Sequence, residues 1–240
     1  MKISGIVLPL LICCGVSSAR IDHPRFHRKI APIVIIDPGH GGYDTGSRGS
    51  AGTLEKEVTL ALAQLLVAEL KNRYQVILTR SDDYWLDLNS RAAEANYQGG
   101  DLFLSLHASA GFGFTVKDLT VSYYQTASGN EAHPPGDGEP PVDTNDPPTW
   151  ENTQRAHYPE SKSLGMALQE SLGRIAGGAA VRLQGLPLAI LAGVDMPAVI
   201  LEIAYLTNPA EELKLIDERH AAALAQAIGQ GIDAYFSKKR

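Results

Sequence analysis

Three short apolar runs, each ending on or enclosing a residue able to do chemistry, constrain this chain more than any other feature. Residues 33–36 are β-branched throughout (Ile-Val-Ile-Ile) and stop at Asp37-Pro38-Gly39-His40. Residues 102–106 (Leu-Phe-Leu-Ser-Leu) close on His107, and residues 198–203 (Ala-Val-Ile-Leu-Glu-Ile) are apolar except for Glu202. Runs of this length, bounded by turn residues, predict buried strands. Val58, Leu62, Leu65, Leu66 and Leu70 recur at helical spacing, which predicts an amphipathic helix over 56–73.

The rest of the chain continues the alternation. Strands are expected at 75–79, 120–126 and 188–191, and helices at 90–97, 161–175 and 219–236. Strand alternating with helix predicts an α/β fold: one domain around a mostly parallel, mixed sheet flanked by helices on both faces. In such sheets ligands collect at the carboxyl ends of the strands. His107 and Glu202 therefore stand where a site is expected. A carboxylate inside a run as apolar as 198–203 carries a heavy desolvation cost unless a metal, a proton or a partner relieves it.

The loop after the first run, Gly39-His40-Gly41-Gly42-Tyr43-Asp44, is glycine-rich but does not suit a nucleotide. Asp44 occupies the third glycine position of the dinucleotide pattern, and no helix follows at once. The loop instead presents a histidine between glycines. Glu55 begins the first helix, where a carboxylate commonly serves the helix dipole. Two imidazoles and a carboxylate also form a common catalytic zinc set. His40, Glu55 and His107 fit that set, with Glu202 as a further acid to move a proton. The spacing alone does not prove it, since the residues are scattered and no His-Glu-x-x-His helix exists.

Both ends of the organisation have their own signals. Lys2, an almost wholly apolar stretch over 3–16 and Ser17-Ser18-Ala19 predict a secretory signal cleaved after residue 19. Residues 20–31 read as a basic leader, leaving 32–240 as the catalytic domain. Cys13 and Cys14, the two cysteines, fall inside the signal. Acylation at Cys14 would make a lipid-anchored protein, but the cysteine before it departs from the small residue usual there. Cleavage after residue 19 leaves no cysteine, so a metal would be held by nitrogen and oxygen. The formal charge is -6, and no basic run interleaves with aromatics, which argues against nucleic acid. Residues 127–149, rich in Pro, Gly, Asp, Asn and Thr, predict a long polar insertion loop.

Several strings then resemble the zinc-dependent N-acetylmuramoyl-L-alanine amidases of the type 3 family. They are Ile-Asp-Pro-Gly-His-Gly-Gly (36–42), Thr-Leu-Glu-Lys-Glu (53–57), Leu-Thr-Arg-Ser-Asp-Asp (78–83) and Arg-Ala-Ala-Glu-Ala-Asn (91–96). Leu-Phe-Leu-Ser-Leu-His-Ala-Ser-Ala (102–110) and Pro-Ala-Val-Ile-Leu-Glu-Ile-Ala-Tyr-Leu-Thr-Asn (197–208) complete the set. The resemblance implies one Zn2+ per chain on His40, Glu55 and His107, with Glu202 as the catalytic glutamate. It implies hydrolysis of the amide between N-acetylmuramic acid and L-alanine in peptidoglycan or a muropeptide. Export to the periplasm or cell exterior, a monomeric state and an activator or recruiting protein accompany that reading. A non-catalytic wall-binding domain and a zinc peptidase acting within the stem peptide are its rivals.

Three departures from the family pattern stand out. Ser109 replaces a frequent asparagine, Ala204-Tyr205 replaces a glycine-phenylalanine pair, and the proline-rich segment 127–149 stands where relatives carry variable insertions. In some relatives such an insertion includes a blocking helix, for which this segment is too polar, with residues 150–160 an alternative cover for the cleft. Among the remaining polar residues, Asp37 is expected to orient its loop through backbone hydrogen bonds. Arg80 and Arg91 are expected to form ion pairs, with Arg80 a weaker candidate for substrate contact. His23, His27, His133, His157 and His220 are expected on the surface or in helix packing. Tyr123 and Tyr124 could be either strand packing or a sugar platform.

Overall fold

The computed structural model describes residues 31–111, 115–126 and 150–239. The expected signal (1–19), nearly all of the leader (20–31) and the insertion loop (127–149) lie outside the described residues, as do His23, His27 and His133. Six strands form one sheet: β1 (Ile33–Pro38), β2 (Gln75–Leu78), β3 (Leu102–His107), β4 (Leu119–Tyr124), β5 (Val181–Leu186) and β6 (Ala198–Glu202). Their spatial order is β2-β1-β3-β6-β4-β5. The first four in that order run parallel, and β4 reverses against β6 with β5 parallel to it. The sheet is thus mixed with a parallel majority, as expected.

Strands β1, β3 and β6 sit side by side in the middle and are buried on both faces, which is why each reads as a continuous apolar run. On one face, Val34, Ile36, Leu104 and Leu201 pack against α1 (Glu55–Leu70), α3 (Tyr158–Gly173) and α6 (Glu218–Lys238). On the other, Ile35, Phe103 and Ile200 meet Ala92 and Ala95 of α2 (Leu88–Tyr97) and Ile190 and Leu191 of α4 (Ala189–Ala192). Full burial of one such aliphatic chain contributes roughly 1.5–3 kcal/mol.

Two expectations need correction. Residues 188–191 form no strand: they enter the single-turn helix α4, where Ile190 and Leu191 face the sheet. The strand of that region is β5, whose Val-Arg-Leu-Gln-Gly-Leu alternates half-buried and exposed positions as an edge strand does. A short apolar run has no period long enough to separate helix from strand. In addition, α5 (Pro209–Leu215) starts with proline at its first position, and the Asn208 side chain accepts from the Ala210 N–H. On α1, Leu65 points to solvent while Thr59 and Ala63 join the buried face.

Candidate metal centre

The sheet brings three chain segments to one end. His107 is the last residue of β3 and stands opposite Glu202, the last residue of β6. Pro38, the last residue of β1, pairs with Leu106, so the loop that follows rises beside His107. That loop turns sharply. His40 has φ 61°, and among the described residues it is the one non-glycine residue with positive φ. An L-residue held there stores strain that recurs at functional sites.

His40, Glu55 and His107 each offer one ligand atom, and those atoms lie within 4.8 Å of one another. Glu55 Oε1 is 3.1 Å from His40 Nε2 and 3.0 Å from His107 Nδ1. It also accepts from the Ala108 N–H at 2.9 Å, while Oε2 accepts from the Ser47 N–H at 2.8 Å. The carboxylate is 2 % exposed, which goes beyond service to a helix dipole at the surface. Gly46 makes the approach feasible. Its φ is 63°, and a Cβ there would lie 2.5 Å from His40 Cδ2 and 2.7 Å from Glu55 Oε2.

The proton count fits a cation among these atoms. His40 Nδ1 lies 2.9 Å from Asp44 Oδ2. Asp44 is held below the usual carboxylate range: burial opposes this, but hydrogen bonds from His40 and the Gly46 N–H outweigh it. An ionised carboxylate only accepts, so Nδ1 carries a proton toward Asp44; Nε2 faces the Glu55 carboxylate, where either a second proton or a bound cation satisfies the pair. This carboxylate–histidine arrangement is the one that orients metal-bound imidazoles. His107 turns Nδ1 to the same Glu55 oxygen, and its Nε2 is buried with no hydrogen-bond partner among the described residues.

Electrostatics agree. Burial would lower the His40 pKa, but hydrogen bonds and charge from Glu55 and Asp44 raise it instead. Burial would raise Glu55, yet the hydrogen bonds from His107 and His40 hold it far below the carboxylate range. The pocket wants positive charge between its acid and its imidazoles, and a divalent ion with N and O ligands supplies it.

Glu202 is drawn into the site separately. Its Oε2 accepts from Ser109 Oγ at 2.7 Å and from the Ser109 N–H at 3.2 Å. Among the described residues nothing bonds Oε1. Ser109, where the family favours asparagine, thus holds the carboxylate that stands opposite His107.

Beneath the loop, Asp37 is fully buried and accepts from Thr79 Oγ1 at 2.5 Å, Arg91 at 2.8 Å and Ser105 Oγ at 2.8 Å. It therefore orients the loop through side-chain partners, not through the backbone bonds expected. Arg91 forms the expected ion pair with Asp37 and also donates to the carbonyls of Pro38 and His40. Arg80 departs from the ion-pair expectation. Its guanidinium donates to the carbonyls of Pro38, Gly39, Lys56 and Asp82, and it is fully buried, away from any substrate. Burial, then the nearby Arg91 charge, lower its pKa. Two arginines clamp the backbone that carries His40.

A second carboxylate, missed in the sequence, supports the approach to Glu55. Glu212 on α5 accepts from the N–H groups of Ala51 and Thr53 and from Ser50 Oγ. The Ala51 amide chiefly, with Thr53 and Ser50, brings its pKa to about 2. Other expectations resolve simply. Tyr123 and Tyr124 are buried in opposite core layers, so they are strand packing and no sugar platform. Gln154, in a 3-10 helix over Trp150–His157, is buried and donates to the carbonyls of Val194 and Met196. Those carbonyls precede β6, at the end of that strand opposite Glu202, so Gln154 does not roof the cleft. His157 pairs with Asp195 at the surface and His220 is half-buried on α6.

The fold and the convergent side chains define a mixed-sheet α/β domain with a candidate His-Glu-His metal-donor set beside its strand ends. Residues 34–234 match the family Amidase_3, N-acetylmuramoyl-L-alanine amidase. The chain is 32% identical over 224 residues to the N-acetylmuramoyl-L-alanine amidase AmiC of Neisseria meningitidis, covering 86% of this chain and 53% of that protein. It is 29% identical over 221 residues to AmiA of Escherichia coli K12, covering 85% and 76%. The catalytic domain of CwlV, an N-acetylmuramoyl-L-alanine amidase from Bacillus (Paenibacillus) polymyxa var. colistinus, superposes with a TM-score of 0.69 at 27% identity, covering 86% and 98%. The chain belongs to the N-acetylmuramoyl-L-alanine amidase family. It spans about half the length of the AmiC relatives it matches.

Proposed function

We propose that this chain is a zinc-dependent amidase that hydrolyses the bond between the lactyl group of N-acetylmuramic acid and L-alanine in peptidoglycan. The single observation that carries the reading is the convergence of His40, Glu55 and His107 with a separate acid, Glu202, at the neighbouring strand end. Family membership supports the substrate.

His40 Nε2, Glu55 and His107 Nδ1 would hold the ion, with Asp44 keeping the His40 proton on Nδ1. Zinc bound there supplies Lewis acidity, polarising the scissile carbonyl and making a water acidic. Glu202 Oε1 takes the proton of the attacking water while Ser109 steadies Oε2. The water oxygen bonds to the carbonyl carbon, the carbon–nitrogen bond breaks, and Glu202 returns the proton to the leaving nitrogen. The products are a lactyl carboxylate and a stem peptide with a free L-alanine amine.

One zinc per chain, a monomeric state and an activating or recruiting protein belong to the same reading. So does export through the signal at 1–19; no helix among the described residues is long and apolar enough to cross a membrane. Mass spectrometry of purified muropeptides treated with the zinc-loaded protein tests the reaction. Intact glycan and intact peptide as separate products are expected. Internally clipped peptides would identify a peptidase, and an unchanged substrate would identify a binding domain of amidase fold.

A further inference from the structure

Beside the donor set lies an aromatic pair that the hydrolytic chemistry does not use. Tyr43 and Trp85 stack with ring centroids 5.2 Å apart and planes inclined by 26°. Tyr43 is 77% exposed and Trp85 44%. Rings this large are normally covered. Trp85 also walls a cavity of about 230 Å³ whose lining includes both imidazoles, His40 and His107, together with Asp44, Asp87 and Leu88. Trp85 and the two imidazoles of the candidate metal centre therefore share one cleft, and Tyr43 stacks on Trp85.

The pair is built in, not draped over the surface. Tyr43 sits three residues beyond His40 on the same loop. The Gly42 N–H donates to Asp83 Oδ1 at 2.7 Å, and Lys56 Nζ ties Asp83 Oδ2 (2.7 Å) to the Gly42 carbonyl (2.8 Å). Gly42, at φ 60°, lies so close to the Trp85 backbone that a Cβ would meet its nitrogen at 2.7 Å. Contacts this tight hold the two rings at a set distance from His40, the preorganisation a subsite needs.

Charge selects the ligand class. Lys56 and Arg91, the cations beside the rings, spend donors on Asp83, Gly42, Asp37 and the carbonyls of Pro38, His40 and Leu86. The cleft wall also carries the carboxylates of Asp44 and Asp87, whose oxygens accept from His40 Nδ1, the Gly46 N–H and Ser90 and keep further lone pairs for a donor. A peptide carrying its own carboxylates meets repulsion here. A neutral pyranose ring sets its weakly positive C–H face on the π surface and offers hydroxyl donors to the acids.

We propose that Tyr43 and Trp85 form a subsite for an N-acetylhexosamine ring of the glycan strand. The subsite deepens the amidase reading and rests on it for the direction in which substrate lies. Its occupant is the sugar side of the scissile amide, and the stem peptide leaves along another wall.

The test uses the zinc-loaded full chain and two probes. Trp150→Phe leaves Trp85 as the sole tryptophan, so emission reports on the shelf. An N-acetylglucosamine oligomer, which has no bond for the enzyme to cut, is expected to shift that emission saturably, and free stem peptide is not. Tyr43→Ala in this background should weaken the oligomer response about fivefold or more. In kinetics on a disaccharide-peptide, Trp85→Ala should raise KM about tenfold with kcat within about twofold, as loss of uniform binding does. Unchanged thermal unfolding and zinc content confirm that each variant folds. A response to stem peptide in place of the oligomer, no response to either probe, or an unchanged KM would overturn the subsite. Absence of cleavage by the wild type alongside oligomer binding would sink the amidase reading and leave the subsite standing.

Discussion

His107 and Glu202 face each other across the parallel pairing of β3 and β6, each the last residue of its strand. One side chain turns to Glu55 and the metal donors, the other to Ser109. That register separates the proposed ligand from the proposed acid by one strand spacing, about 4.8 Å between backbones. The two roles can be separated by substitution. Glu202→Ala should retain bound zinc and lose at least about a hundredfold in kcat, the range of a lost general acid–base. Turnover on purified sacculi with parallel metal analysis checks it. Wild-type rates in this variant would remove Glu202 from the reaction.

In the proposed reaction Ser109 acts through Glu202, to which it donates. Ser109→Ala removes a charge-assisted hydrogen bond, and kcat should fall about tenfold with KM nearly constant and zinc retained. Ser109→Thr keeps a hydroxyl and should recover most of the loss. Steady-state kinetics on a soluble muropeptide distinguishes this from a general packing defect, which threonine would not repair.

Gly46 is required for His40 and Glu55 to meet. Gly46→Ala places a Cβ against both side chains at a positive φ, so the loop must shift. The backbone alone should cost about 1–2 kcal/mol, and zinc affinity should fall with it. Metal titration of the apo protein measures the fall; unaltered affinity would mean that the donors tolerate a rearranged loop.

Glu212 links acid stability to the turn at 49–53. Its pKa is lowered to about 2 in the folded protein from an ordinary 4.5. The stabilisation is therefore complete above about 4.5 and disappears as pH falls toward about 2. Glu212→Gln should lower Tm at neutral pH, and the gap from wild type should close on acidification through that window. Melting curves across pH check this, and a gap that persisted at the acid end would assign the stabilisation elsewhere.

Much of the candidate site was legible because its residues interrupt apolar runs. His107 and Glu202 end buried strands, and His40 sits between glycines where a strand breaks, so each stands out against a simple local pattern. The middle of the sheet was legible for the same reason, since doubly buried strands are uniformly apolar. At the sheet's edge the rule inverts. Polar β5 gave no strand signal, and apolar Leu188–Leu191 read as strand when it is mostly the one-turn helix α4. Long-range partnerships left no trace either. Glu212 reaches Ser50 across 162 residues, and the Gly46 and Gly42 requirements arise from side chains and backbone that fold onto them. Arg80 looked like an ion-pair residue, but the loop offers carbonyls where a carboxylate was expected.

Zinc stoichiometry across four variants tests the centre most directly. Elemental analysis of the purified, zinc-equilibrated protein should find one ion per chain in the wild type and in Glu202→Ala. His40→Ala, Glu55→Ala and His107→Ala should each lose it. A folded wild type that refused zinc, or a Glu202→Ala variant as metal-poor as His107→Ala, would contradict the division between ligands and acid.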